Sequence, residues 1–450
     1  MRLRGMSTSY IPYVPEQQRL LPCALQEWLP AGHLAYFISD TVDSLDLKAF
    51  HARYAGGGSR NQPFHPAMMV KVLVYAYATG VFSSRKIAKK LHEDIAFRVL
   101  AADNFPAHRT IRDFRALHLA EFTELFTQVV RLAREMGLVK LGTVAIDGTK
   151  IKANASRHKA MSYGRMQIAE VELKAQIADL MKRATAADQA ERDEPELDMP
   201  AEIERRQARL AAIEAAKARL EERQRQADTQ RGRSQDDDRR PRGPDGKPKG
   251  GGPYQRDFGV PPAKAQDNFT DPQSRIMKRA GGGFDYCFNA QTAVDETAHI
   301  IVAAEVVNTS SDVHQLPKVL DALKAHTGQQ AKQVLADAGY RSEAVMAELS
   351  KTLPQTELVI ALGREGKQQT QPADAQRYPH TLAMRAKLQT EQGKAAYRKR
   401  KWIAEPPNGW IKSVLGFRQF SMRGLEKAKA EFKLVCMALN LRRMGAMRMA

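Results

Sequence analysis

The stretch Thr143-Val144-Ala145-Ile146-Asp147-Gly148-Thr149-Lys150 decides the fold. An apolar, β-branched run ending in one carboxylate and a glycine predicts a short buried strand over 143–148 that delivers an acid at its tip. The same grammar returns at Gln333-Val334-Leu335-Ala336-Asp337-Ala338-Gly339-Tyr340. Two strand-end aspartates lie side by side when their strands are neighbours in one sheet. Such a pair suits a hard divalent cation, which takes oxygen ligands and keeps some of its waters. Either aspartate alone is better read as a turn former or helix cap. A third carboxylate, Glu405, shifts that balance.

Downstream of the first strand, order resumes near Asp267. Residues 284–294 and 299–307 read as two strands joined by the turn Asp295-Glu296-Thr297, hence a hairpin. Ser310-Ser311-Asp312 caps a helix to about residue 326. A strand over 332–337, a helix over 342–351 and a strand over 357–362 follow. With the intervening insertion removed, the order is β-β-β-α-β-α-β-α, a mixed sheet with helices on its faces. That order resembles the ribonuclease H-like fold, interrupted after its first strand.

The interruption is itself patterned. Residues 165–192 and 200–228 read as long, charged, Ala-rich helices, the first showing Val171, Leu173, Ile177 and Leu180. The second carries Ile203, Leu210, Ile213 and Leu220 at heptad-like spacing. Pro195 and Pro200 bracket the turn, so 157–228 is expected to be an antiparallel helical hairpin. Residues 229–266 mix Arg, Asp, Pro, Gly and Lys with little apolar content and are expected to be a disordered linker. Asp236-Asp237-Asp238 within it reads as a solvated acidic run. Gly246-Lys247 is followed by Pro248, with no glycine five positions before, so there is no phosphate-binding P-loop.

Upstream, residues 1–60 form a Pro- and turn-rich leader with a helix within 33–52, broken by Gly56-Gly57-Gly58-Ser59. Residues 61–137 turn helical. Met68, Met69, Val72, Leu73 and Ala76 recur at helical spacing; Ser83-Ser84 offers an N-cap for a second helix; a third covers 94–100. A longer one runs from Arg109 to about Met136. The short helices, tight turns and exposed basic face are equally compatible with a helix-turn-helix DNA reader and with a plain bundle carrying solvated lysines.

Charge selects the partner. The 450 residues hold 70 Lys+Arg against 51 Asp+Glu, a formal charge of +19, which predicts a polyanion bound through phosphates. No run approaches the roughly 18 apolar residues a membrane span needs, and the start of the chain has no signal-peptide pattern. Cys23, Cys287 and Cys436 are scattered and lack zinc spacing, reading as small buried hydrophobes in a reducing cytoplasm.

The third acid lies in Tyr397-x2-Arg400-x4-Glu405-x6-Lys412. Pro406 and Pro407 favour a first helical turn, so Glu405 is expected at the start of a helix reaching past Lys412. Two turns separate them, which puts both on one face. A C-terminal helix over about 424–444 carries an apolar stripe from Leu425 to Leu439, expected on the sheet. That leaves Arg423, Lys427, Arg442 and Arg443 for solvent or DNA.

At this point the chain resembles the bacterial insertion-sequence transposases of the DDE type. HPAMMVKVLVYAYATGVFSSRKIAKKL and PAHRTIRDFR match that group's helical DNA-binding domain. AIDGTKIKANAS, NFTDPQSRIMK, YCFNAQTAVD and LADAGY match its catalytic domain, and WIAEPPNGWIKSVLGFRQFSMRGLEKAKAEF its glutamate region. The resemblance implies a ribonuclease H-like catalytic domain over 138–156 and 267–450, an all-α DNA-binding domain at 61–137 and the inserted hairpin. It makes Asp147, Asp337 and Glu405 the catalytic, metal-binding triad, holding two Mg2+ or Mn2+ ions. Tyr397, Arg400 and Lys412 would complete the Tyr-Arg-Glu-Lys signature, with Lys412 on a phosphate. Arg85, Lys86, Arg109, Arg112 and Arg115 would meet DNA from the helical domain.

Two departures stand out. Four residues separate Arg400 from Glu405 where relatives often have three, so Lys401 is an alternative in the arginine role. Asn408 replaces an aromatic, which is expected to loosen local packing. The implied activity is metal-dependent hydrolysis at transposon ends followed by joining of the 3′-hydroxyl to target DNA, on double-stranded DNA and at least as a homodimer. A catalytically dead DNA-binding remnant, or a ribonuclease H-like nuclease without strand transfer, remain the alternatives. Asp312 is the reserve carboxylate, while Asp271, Asp285 and Asp295 read as turn or strand-edge acids.

Overall fold

The computed structural model describes residues 24–54, 63–189, 199–235, 239–240, 252–279, 281–363 and 374–449. Cys23, the glycine run at 56–58, Asp236-Asp237-Asp238 and Gly246-Lys247 lie outside them.

Seven helices come first: α1 (Leu34–Ser44), α2 (Lys48–Ala52), α3 (Pro66–Ala78), α4 (Ser84–Glu93), α5 (Ile95–Ala101), α6 (His108–Leu117) and α7 (Leu119–Glu135). The single long helix expected from Arg109 to Met136 is two. His118 breaks it at φ −101°, ψ 38°. The imidazole there is fully buried against Phe50 and Phe114 and bonded to the Tyr54 hydroxyl at 3.0 Å. Tertiary packing fixes the kink, and no glycine or proline marks it.

The sheet begins with β1 (Thr143–Lys152), longer than expected. A two-stranded ribbon, β2 (Ala160–Ser162) with β3 (Gln266–Asn268), closes the base of the insertion. Between them α8 (Tyr163–Gln189) and α9 (Met199–Gln230) pack antiparallel, as the pairs Glu170–Lys217 and Lys174–Glu214 require. Leu173, Ile177, Leu180, Ile213 and Leu220 are buried, but Val171 is 69% exposed and lies off the stripe. The described parts of 229–266, expected to be disordered, carry specific bonds: Gly259 N–H donates to Asp228 Oδ2 at 3.0 Å, and Arg233 stacks on Tyr254. Buried Asp267, held by Arg219 and Arg223, ties the ribbon to α9.

The main sheet adds β4 (Arg275–Lys278), β5 (Phe284–Asp295), β6 (Ile301–Val307), β7 (Gln333–Ala336) and β8 (Glu357–Ile360). Its order is β4-β5-β1-β7-β8, with β6 beside β5. β5 is antiparallel to β1, whereas β7 and β8 run parallel to it. This mixed sheet is compatible with a ribonuclease H-like catalytic domain.

Helices α10 (Leu316–Thr327), α11 (Glu343–Thr352), α12 (Pro379–Gln389), α13 (Glu391–Gly409) and α14 (Leu425–Met449) complete the chain. α14 departs from the one-stripe expectation. Residues 428–441 are almost all buried, Glu431 and Lys433 included, because α14 lies between β6 and the helices α3 and α7. A helix apolar on most faces is a core helix. The helical and sheet-bearing parts consequently share one hydrophobic core, from Ala35 to Met444. Arg442 and Arg443, expected to face solvent or DNA, donate to the carbonyls of Ala78 and Ala298.

Candidate acid site at the tip of the central strands

The register Ile146↔Ala336 puts Asp147 and Asp337 at the same level of adjacent parallel strands. β7 ends there, while β1 continues to Lys152. Asp337 turns into a 3-10 turn, Ala338–Tyr340, and its Oδ1 accepts the Gly339 N–H at 2.8 Å. Asp147 pairs with Thr292 across β5 and points toward α13. Burial, reinforced by the Asp337 charge, pushes its carboxyl up to about 6, although Arg400 and Asn408 work against the rise.

Glu405 arrives differently from expectation. α13 runs unbroken through Pro406 and Pro407, so Glu405 sits inside a helix and not at its start. Two prolines in succession remove two intrahelical donors. The Trp410 N–H returns to the carbonyls of both prolines, and the helix widens into a π-helical turn, Trp410–Val414. Packing of Ile403, Ala404 and Pro407 on the sheet holds this irregular segment together.

Arg400 draws the acids toward one charge. Its Nη1 lies 3.8 Å from Asp147 Oδ1 and its Nη2 3.8 Å from Glu405 Oε1, and the Asp337 charge acts on it as well. The Tyr397 ring sits 5.9 Å from the guanidinium. Lys401, the alternative for this role, is exposed, one position further round the helix. Lys412 is half-buried within the field of Asp147, and desolvation pulls its ammonium below the usual lysine value. Glu405 itself is 58% exposed. Among the described residues no group of three His, Cys, Asp or Glu is close enough to hold a metal ion. The donor set is nonetheless all carboxylate oxygen, and its chemistry fits a hard divalent cation.

Two residues that the sequence undervalued belong to this region. Asn408 does not loosen the packing: it is 7% exposed, and its Nδ2 donates to Asp147 Oδ2 at 3.1 Å and toward Thr292 Oγ1 at 3.3 Å. Its place eight residues after Arg400, just over two turns on the same helix, was the available signal. Asp312 does not cap a helix, since α10 starts at Leu316 with Gln315 as its N-cap. Its Oδ1 accepts from Asn289 at 2.6 Å, Gln291 at 2.7 Å and Lys150 at 3.3 Å. Gly148 makes room for this hub, because a Cβ there would stand 2.7 Å from Gln291 Nε2 and 2.9 Å from Asp312 Oδ1. Asp271, Asp285 and Asp295 are structural, as expected. Asp285 pairs with Lys152, Arg157 and Arg279, Asp295 accepts the Leu141 and Thr297 amides, and Asp271 those of Gln273 and Gly424.

Of the basic residues expected on DNA, Arg85, Lys86, Arg109 and Arg112 are exposed on α4 and α6, Arg112 pairing with Asp113 at 2.7 Å. Arg115 is not: it is 4% exposed, bonds to the Tyr77 hydroxyl at 2.7 Å and the Phe82 carbonyl at 2.9 Å, and lies 3.8 Å from buried Glu431. One turn after buried Ile111, it falls on the inward face of α6.

Family comparison fits this arrangement. A model of the transposase DDE domain matches residues 257–441, and a model of a transposase domain (DUF772) matches residues 24–117. The chain belongs to the DDE transposases of insertion sequences. No curated protein and no solved structure matches it. Among the described residues no helix is long and apolar enough to cross a membrane.

Proposed function

We propose that this transposase is catalytically competent: it binds the ends of its own insertion sequence, hydrolyses a phosphodiester bond at each end and joins the freed 3′-hydroxyl to target DNA. The observation that carries the reading is the convergence of acids from β1, the end of β7 and α13 around Arg400. Asp147, Asp337 and Glu405 of a ribonuclease H-like domain would hold two Mg2+ or Mn2+ ions, which when bound activate the attacking oxygen and neutralise the leaving one.

The chain's own groups prepare that chemistry. Asn408 fixes the Asp147 carboxylate from the α13 side. Lys412, half-desolvated in the same field, meets a phosphate oxygen more strongly than a fully hydrated lysine would. Arg400 and Tyr397 present a planar donor beside a ring, suited to a DNA phosphate. Exposed Arg85, Lys86, Arg109 and Arg112 add phosphate contacts that set position and not sequence preference. DNA with two ends to be paired implies at least a homodimer in the complex.

The test is cleavage of a duplex carrying the element's end in Mg2+, scored for nicked and joined products. Asp337→Ala should lower cleavage at least a thousandfold, on the order of 4 kcal/mol of barrier; wild-type rates in that variant would overturn the assignment. Cleavage by the wild-type chain without joined products would leave a nuclease.

A further inference from the structure

Arg400 is buried in a way that its signature role does not explain. The residue is 8% exposed, and its Nε is shut off from solvent with no hydrogen-bond partner. Its two Nη atoms stand 3.8 Å from carboxylate oxygens of Asp147 and Glu405, beyond hydrogen-bond distance. The guanidinium is thus held by the charge of the acids and by a hydrogen bond with Tyr397, with no hydrogen bond to a carboxylate. A buried donor left unmet is costly, and here the attraction of three acids offsets that cost. Asn408 approaches the same Asp147 from the next turns of α13 but brings no charge.

We propose that Arg400 is the resident counter-cation of the acid site. In the DNA-free protein it neutralises the carboxylates and competes with divalent ions for them. A DNA phosphate reaching Arg400 draws the guanidinium onto itself, and the released carboxylates then take up the ions. Divalent affinity is therefore low until DNA is engaged. Because linkage is reciprocal, divalent ions strengthen DNA binding by the same factor. This inference rests on the metal-dependent reading above.

The experiment is Mn2+ binding to the full chain, by calorimetry or electron spin resonance of free Mn2+, with and without a saturating short duplex. The proteins are wild type, Arg400→Gln, Asn408→Ala and Asp147→Asn, the last also correcting for ions taken up by DNA. Without DNA, R400Q should bind Mn2+ at least tenfold tighter than wild type, while N408A, which loses only a neutral contact, should bind no tighter. With DNA, wild type should gain at least tenfold and R400Q little. Equal or weaker binding by R400Q overturns the proposal. Should R400Q fail to fold, the wild-type pair decides: no gain over D147N on adding DNA is equally fatal. If D147N abolishes binding while R400Q matches wild type, only the role of Arg400 falls. If wild type and D147N bind alike in every state, the metal-site reading falls with it.

Discussion

At the scale of single residues, Asp147 shows what the site costs the fold. Its carboxyl is held up to about 6, chiefly by burial, against an ordinary value of 3.8. The folded state binds that proton more tightly than the unfolded chain does, so the ionised form is a penalty on stability. The penalty is absent below the unfolded value, grows through about pH 4–6 and is complete above it. Asp147→Asn should therefore stabilise the protein on the order of 1–2 kcal/mol at about pH 8, with the gain vanishing near pH 4. Thermal melts at the two pH values measure this; a gain that is absent or independent of pH would rule the account out. Asp147 and Asp337 were legible as candidate acids because each ends an apolar run, and Glu405 through its spacing from Tyr397, Arg400 and Lys412. Asn408 and Asp312 were not, since a buried amide and a turn aspartate reveal their partners only once distant strands supply them.

At the scale of elements, α14 joins the helical part to the loop that follows α13. The Glu431 carboxylate on α14 accepts bonds from the Tyr77 hydroxyl at 2.9 Å and the amides of Ser421 and Met422 at 2.9 and 3.2 Å, besides the Ser421 hydroxyl. That loop pairs in turn with β1, where the Phe420 N–H donates to the Lys152 carbonyl at 2.8 Å. Gly80, at φ +79°, lies so close that a Cβ would stand 2.6 Å from the Leu415 carbonyl oxygen. Glu431→Ala would strand the buried Arg115 guanidinium and should cost about 3–5 kcal/mol, read as a fall in urea midpoint. Glu426→Ala, on the exposed face of the same helix, should change stability by about 0.5 kcal/mol or less. Equal effects would show that the buried cluster contributes nothing special. The helices were legible by period, but their ends were less so: α13 passes through two prolines and the α6–α7 break has no sequence mark.

At the scale of the whole molecule, the +19 charge is a statement about salt. Arg85 and Lys86 are exposed on α4, so replacing both with alanine should lower the slope of log affinity against log salt by about 1 for each phosphate no longer neutralised. Base preference should persist. Equilibrium binding to end duplex over a salt series measures this, and an unchanged slope would remove α4 from the DNA surface. Arg115, expected in the same set, belongs instead to the interior.

Alternation and acid placement along the chain by themselves determined the two central strands, the hairpin beside them, the long helical excursion and the three candidate acids. Those features follow from local period and from the residues that end each run, which act over a few positions. Tertiary structure alone decided that α14 is wrapped by sheet and helices alike, that Arg115 faces inward and that Glu405 sits mid-helix. It also decided that Arg400 stands among the acids. Burial and charge compensation are properties of groups brought together from distant segments, and one-dimensional order does not contain those distances.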